Sequence, residues 1–155
     1  MLNYYKNRLK FLRNTNGYRY CHTTARVKTN KTLEKHAQEW ASHLAKINKM
    51  KHSGKKGVGE NILKISNNLF YKKGIHKWYE EKKKYNFSHT AVNKVAIVGH
   101  FTQLVWKKSK TIGFGFGKNG SMIFVVCLYY PRGNIRGQYE KNVLPKKKYR
   151  KICKI

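Results

Sequence analysis

The chain has 155 residues, with 35 Lys and Arg against only six acids, for a formal net charge of +29. That length fits one domain able to bury a core, and apolar residues at 40 % with 7 Phe, 11 Tyr and 3 Trp exclude a disordered polycation. No apolar run approaches the roughly 18 residues of a membrane-spanning helix, while the charge predicts attraction to anionic surfaces without saying which.

The opening "MLNYYKNRLKFLRNTNG" is basic and lacks an apolar stretch of signal-peptide length. Leu2 excludes N-myristoylation, and the ending "KICKI" is not a prenylation box. Cys21, Cys127 and Cys153 allow at most one internal disulfide, so the fold is expected to stand mainly on its core. The first clear helix is "NKTLEKHAQEWASHLAKINKM". Leu33, Ala37, Trp40, Ala41, Leu44 and Ile47 recur at three- and four-residue spacing and form one apolar stripe. Asn30 or Thr32 can cap it. His36 and His43 lie off the stripe and are read as solvated, and His52 is placed at the end of this helix.

A second helix is expected after Glu60, through Ile62, Leu63, Ile65 and Leu69. A third is "GIHKWYEEKKKY", with Ile75, Trp78 and Tyr79 facing inward. "VAIVG" reads as a flexible lead into "GHFTQLVW". The period then changes to two: "TIGFGFG" alternates Ile112, Phe114 and Phe116 with Gly113, Gly115 and Gly117, which predicts a strand whose glycine face admits a close neighbour. Asn119-Gly120 predicts a type I′ hairpin turn. "MIFVVCLYY" is the return strand, buried on both faces. Helices followed by an antiparallel hairpin give an α+β class with helices packed on a sheet. From Pro145 onward the chain reads as a mobile basic extension.

The candidate chemistry rests on His52, Glu60, Glu81 and His100. All six acids are Glu, which makes Glu60, between glycines and eight residues after a histidine, conspicuous. Glu81 lies three residues after Trp78 and so shares its helix face; Glu80 is the neighbour most easily confused with it. A carboxylate beside an imidazole holds both in their charged forms. Two His and two Glu that converge can bind a divalent metal, Zn²⁺ above all, or act as a general acid–base pair. Four separate surface or capping residues are the alternative. No HExxH, CxxC pair, GxSxG or P-loop is present. Nor is there a convincing nucleophile: Ser53 adjoins His52 but points away from it, Ser109 is read as a capping or turn residue, and Cys127 as a buried small hydrophobe.

"GHFTQLVWKKS" (Gly99 to Ser109) matches every restricted position of the first signature of the cysteine-rich secretory, antigen 5 and pathogenesis-related superfamily, the CAP or SCP domain. "FVVCLYYPRGNI" (Phe124 to Ile135) is similar to the second signature, departing at Leu128, and "GENI" (Gly59 to Ile62) resembles a shorter third motif. "HAQEWASHLA" and "WYEEKKKYNF" look like family helices in the right order. Within the superfamily the chain is most similar to the Golgi-associated plant pathogenesis-related type, on its few cysteines and the ending "YEKNVLPKKK". The opening departs more. The usual His-Asn-x-x-Arg start is only echoed, in "YYKNRLKFLRN", and the Pro pair before the long helix is missing.

The resemblance implies a three-layer α-β-α sandwich around a central, mostly antiparallel sheet. It divides the chain into a poorly matched helix and loop over 1–27, the CAP/SCP domain over 28–145 and a basic tail over 146–155. It implies a cleft tetrad of His52, Glu60, Glu81 and His100, able in some members to hold zinc or magnesium. The functions it implies are binding ones, toward lipid, sterol, anionic membrane or partner protein. Phe101, Trp106, Tyr129 and Tyr130 are candidates to line an apolar pocket; the alternative is that they are core, the preferred reading for Trp106. A secreted defence, venom-like or immunomodulatory effector and a metal-dependent hydrolase are the alternatives. The family default is the extracellular region; the Golgi-associated type implies the cytoplasmic face of Golgi or other membranes. No nucleic-acid module is present, so specific nucleic-acid recognition is not expected.

Overall fold

A computed structural model describes residues 3–147. Cys153 and nearly all of the basic tail expected over 146–155 lie outside the described residues. In chain order the elements are α1 (Tyr4–Cys21), β1 (Lys28–Thr29), α2 (Lys31–Ile47), β2 (Gly59–Ser66), α3 (Asn67–Lys73), α4 (His76–Glu80) and a 3₁₀ turn (Glu81–Lys84). They continue with a second 3₁₀ turn (Thr90–Val92), α5 (Val95–Leu104), the hairpin β3 (Thr111–Asn119) and β4 (Met122–Tyr130), and a short α6 (Tyr139–Asn142). The sheet order is β1-β3-β4-β2. Only β1 runs parallel to its neighbour, so the sandwich expected from the resemblance is the fold found.

The sheet divides the core in two. One face meets α2, where Leu33, Ala37, Ala41 and Leu44 pack on Ile62, Phe124, Val126 and Leu128. The other carries the larger aromatic cluster, in which Phe11, Tyr18, Phe70, Trp78, Tyr79 and Phe101 cover Phe114, Phe116, Val125 and Tyr129. β4 is thus buried on both faces, as its unbroken apolar run predicts.

α2 starts where expected. The Asn30 side chain accepts from the Leu33 amide, and Asn48, at φ 52°, ends the helix in the left-handed conformation. The helix stops at Ile47, so His52 lies in the following loop and not on the helix end. His36, expected in solvent, is half-buried, and its Nδ1 is buried without a partner; His43 is exposed and stacks on Trp40.

The glycine face of β3 does what its spacing predicts. A Cβ at Gly113, Gly115 or Gly117 would overlap the α2 backbone at Leu33–Glu34, Ala37–Gln38 and Ala41. α2 therefore lies directly on the sheet. Gln38 reaches from it to β3, donating to the Phe116 carbonyl at 2.7 Å and accepting from the Phe116 amide at 3.2 Å. Arg8 Nε donates to the Phe114 carbonyl at 3.0 Å. With β1 pairing only Thr111 and Ile112, these two side chains satisfy edge groups that a longer strand would cover.

Three local expectations are corrected. The segment after Glu60 is strand β2, not a helix, and pairs with β4 from Gly59↔Tyr129 to Ser66↔Met122. Leu63 and Ile65 face the aromatic cluster and Ile62 faces α2, so this short apolar run is buried from both sides, where helical and strand spacing look alike. "VAIVG" is the first half of α5, not a flexible lead. The hairpin loop is Gly120–Ser121, with Asn119 still paired to Met122 and Gly120 alone at positive φ, 54°; a type I′ turn needs positive φ at both central residues.

Two glycine substitutions test this account by thermal melting. Gly115→Ala pushes a methyl into the α2 backbone and lowers stability by about 1–3 kcal/mol. Gly17→Ala, in mid-α1 with open space around it, raises it by about 0.5–1 kcal/mol.

Candidate functional site

The four candidate residues form two His–Glu couples. Glu60, on the second residue of β2, sends Oε1 to His52 Nδ1 at 2.6 Å and accepts the Ser53 amide at 3.0 Å. Its side chain is 8 % exposed while that of His52 is 64 % exposed, so the carboxylate is the fixed partner and the ring the presented one. Glu81, the first residue of the 3₁₀ turn after α4, sends Oε1 to His100 Nδ1 at 2.7 Å, and its Oε2 accepts the amides of His100 at 2.9 Å and Phe101 at 3.1 Å. Glu80 turns instead toward His76 and Lys77. The Trp78 ring lies parallel to His100 at 6.1 Å, and its indole N–H donates to the Ile62 carbonyl.

The start of β2 joins the couples. Asn61, next to Glu60 and fully buried, donates from Nδ2 to the His100 carbonyl at 3.0 Å and to the Tyr129 hydroxyl at 3.3 Å. Gly59 leaves room for Gln103, which a Cβ would overlap. Gln103 accepts the Gly133 amide at 2.8 Å and donates to Ser109 Oγ at 3.1 Å, and Ser109 donates to the Pro131 carbonyl at 2.8 Å. Asn61 and Gln103 were not among the candidates, although both stand inside the quoted signatures. No local pattern marks either, because the partners that fix them lie far along the chain.

In both couples the carboxylate occupies Nδ1, so each ring keeps Nε2 for another partner. A carboxylate behind the imidazole is the usual support of a metal-ligating histidine. Among the described residues, no group of three or more His, Cys, Asp or Glu stands together as a metal cage. Each couple therefore presents one imidazole with a glutamate standing behind it. The nucleophile candidates are engaged or closed off. Ser109 is held as described, Ser53 accepts the Lys55 amide at its hydroxyl, and Cys127 is a free, fully buried thiol whose pKa burial pushes well up. Phe101, Trp106 and Tyr129 are core residues and Tyr130 is exposed, so these four do not line a shared pocket.

A buried polar chain supports the segment that carries Glu81. His22, at the end of α1, donates from Nδ1 to the Leu144 carbonyl at 2.6 Å and accepts the Tyr79 hydroxyl at Nε2, 3.0 Å away. Tyr79 stacks on Tyr18 at 4.1 Å, and burial raises both phenols to about 12. Burial also lowers the His22 pKa from 6.5 to about 4, so this imidazole is neutral in the folded protein near neutral pH.

Comparison with known proteins agrees with this fold. Residues 12–129 match the family described as the cysteine-rich secretory protein family, CAP. The Golgi-associated plant pathogenesis-related protein 1 of Homo sapiens is 38 % identical over 140 residues, which cover 86 % of this chain and 89 % of that protein. Among solved structures, BmVAL-1 superposes with a TM-score of 0.70 at 26 % identity, covering 86 % of this chain and 80 % of that one. NaASP2, solved with Zn²⁺, superposes with a TM-score of 0.60 at 27 % identity, covering 91 % and 86 %.

His22 gives the site's frame a pH dependence. Between pH 6.5 and about 4 the unfolded chain takes up a proton that the folded one does not, so stability falls as the pH drops through that window and levels off below it. The loss is roughly 3 kcal/mol for this residue. Urea unfolding at pH 7 and pH 4.5 reads it, and His22→Gln removes most of the difference.

Proposed function

The chain belongs to the cysteine-rich secretory protein (CAP) family, and we propose that this member is a non-enzymatic binding module for an amphiphile with an anionic head group, of the fatty-acid class. The observation that carries this is a groove of about 500 Å³ between α1 and α3, lined by none of the four His and Glu residues of the cleft. Its floor is Phe11, Tyr18, Phe70 and Ile75; its rim is Lys10, Arg13, Lys72 and Lys73, and no acid lines it. That volume lies in the range of small-molecule sites. An apolar floor under a cationic rim suits a hydrocarbon tail ending in a carboxylate or phosphate, and it suits a sterol less well, since a sterol offers the rim no charge. Titration with a fluorescent fatty acid tests it. Gly17→Leu, which fills the open mouth of the groove, should weaken binding about tenfold or more, a loss of about 1.4 kcal/mol or more. No uptake by wild type, or equal uptake by the variant, would falsify the reading.

A second reading concerns the cleft, favoured by the carboxylate behind each imidazole. His52 and His100 would hold a divalent ion such as Zn²⁺ through Nε2, with Glu60 and Glu81 fixing the rings. The zinc in the NaASP2 structure supports this choice of ion. The ion would supply charge for an anionic group; the chain's own part is to orient the rings and to keep Nδ1 occupied. Calorimetric titration of Zn²⁺ into metal-stripped protein, in moderately salty buffer to suppress nonspecific effects, should show stoichiometric binding. His52→Ala/His100→Ala should abolish it, and Glu60→Gln should weaken it about 10–100-fold. Both substitution sets should leave fatty-acid uptake unchanged. The human relative's Golgi association makes a membrane-facing setting the natural one for either ligand.

A further inference from the structure

We propose that the groove between the second 3₁₀ turn and the segment leading into α6 binds short peptides by their two charged termini, the carboxylate on Arg136 and the ammonium on Glu140. The groove measures about 520 Å³ and shares no residue with the His–Glu couples or with the groove between α1 and α3. Two of its lining amides are engaged in holding backbone. Asn93 donates from Nδ2 to the carbonyls of Asn86 at 2.9 Å and Thr90 at 3.1 Å, and accepts the Asn86 amide at 2.8 Å. Asn134 donates to the Gly99 carbonyl at 2.9 Å and accepts the Thr102 hydroxyl. The walls are thus fixed before anything binds. Thr90, Arg136, Tyr139 and Glu140 differ. Among the described residues, their side-chain polar atoms have no hydrogen-bond or ion-pair partner.

Arg136 and Glu140 put opposite charges on one groove without pairing with each other, and Gly137, at φ 77°, turns the chain between them. A site for a simple anion has no use for an acid, and the groove between α1 and α3 has none. Both signs together select a ligand that carries both. The guanidinium offers a planar fork that matches a carboxylate. An ammonium has three donors, and the Glu140 carboxylate with the Thr90 and Tyr139 hydroxyls offers it three acceptors. The volume lies in the range of small-molecule sites and leaves room for the residues between two termini. Ala91, Val95 and the Tyr139 ring give those residues an apolar lining. The proposal depends neither on fatty-acid uptake nor on a metal in the cleft.

The test is calorimetric titration with the dipeptide alanyl-leucine, its N-acetyl form, its C-terminal amide and free leucine, in moderately salty buffer. Wild type should bind alanyl-leucine, and should bind each blocked form about tenfold or more less tightly, since each block removes a charge-assisted contact. Arg136→Gln should bind the dipeptide and its amide alike. Glu140→Gln should bind the dipeptide and its N-acetyl form alike. Both residues are exposed, so the melting temperature of each variant should match wild type. An N-acetyl form that binds more tightly than the dipeptide would mark general attraction of anions to a basic surface and would overturn the proposal. So would variants that still discriminate the blocked forms as wild type does, free leucine that binds as tightly as the dipeptide, or no binding by wild type.

Discussion

A single buried guanidinium holds the two halves of the molecule in register. Arg19 is fully buried near the end of α1. Its Nε donates to the Ala25 carbonyl at 2.8 Å, and its terminal nitrogens donate to the carbonyls of Leu104, Trp106 and Ser109 at 3.2, 2.9 and 2.9 Å. Among the described residues no carboxylate answers it, and burial lowers its pKa to about 10. A charge in such a place is tolerable only when its donors are nearly all satisfied, and here peptide carbonyls do the work of an acid. Those carbonyls belong to the end of α5 and the connection into β3. Arg19 thus fixes the helix that carries His100 and the strand on which α2 lies, and a lysine, with no planar fork, cannot span the same set.

Scarcity of acids shapes the rest of the chemistry. With six glutamates in the whole chain, two are committed to imidazoles and backbone amides, Glu60 to His52 and the Ser53 amide and Glu81 to His100 and the amides of His100 and Phe101 in the second half of α5. Each of these carboxylates orients a ring and also stitches neighbouring backbone. The result is two separately supported histidines and, among the described residues, not a four-ligand cage. The groove between α1 and α3 shows the complementary economy: its rim has cations and no acid, so an anionic head group meets no repulsion there. The cleft and the groove use different residues of the same aromatic layer, since Trp78 stacks on His100 while Phe11 and Phe70 stack under the groove.

Elements with an unambiguous period were legible in the sequence. α2 shows a clean three-to-four spacing, and its Asn30 cap is local. The glycine alternation in β3 announced both a strand and the close approach of another backbone. Glu81 was preferred to Glu80 only through the resemblance, whose motif sets a Glu three residues after the Trp. β2 was misread because Ile62, Leu63 and Ile65 are compatible with either period when both sides are covered, and only pairing with β4 decides. His52 was misplaced because the left-handed stop at Asn48 is encoded by one residue. Arg19, His22, Gln38 and Asn61 were invisible for another reason. Their partners lie 85, 122, 78 and 39 residues away in the chain, and no local pattern marks a polar side chain that will be satisfied across the fold.

The open side of β3 has a consequence for how the protein survives at high concentration. Gln38 presents its amide to Phe116 as a neighbouring strand would, accepting one bond and donating another, and Arg8 fills the next carbonyl at Phe114. Two side chains thus impersonate a strand. An incoming extended segment from another molecule finds the hydrogen-bonding positions already taken, so the sheet ends there without a proline, a bulge or a longer β1. The decoy is held by helices and not by the sheet itself. Any event that lifts α1 or shifts α2 uncovers a glycine- and phenylalanine-rich template, and self-templated growth, more than simple unfolding, becomes the hazard of that partly opened state.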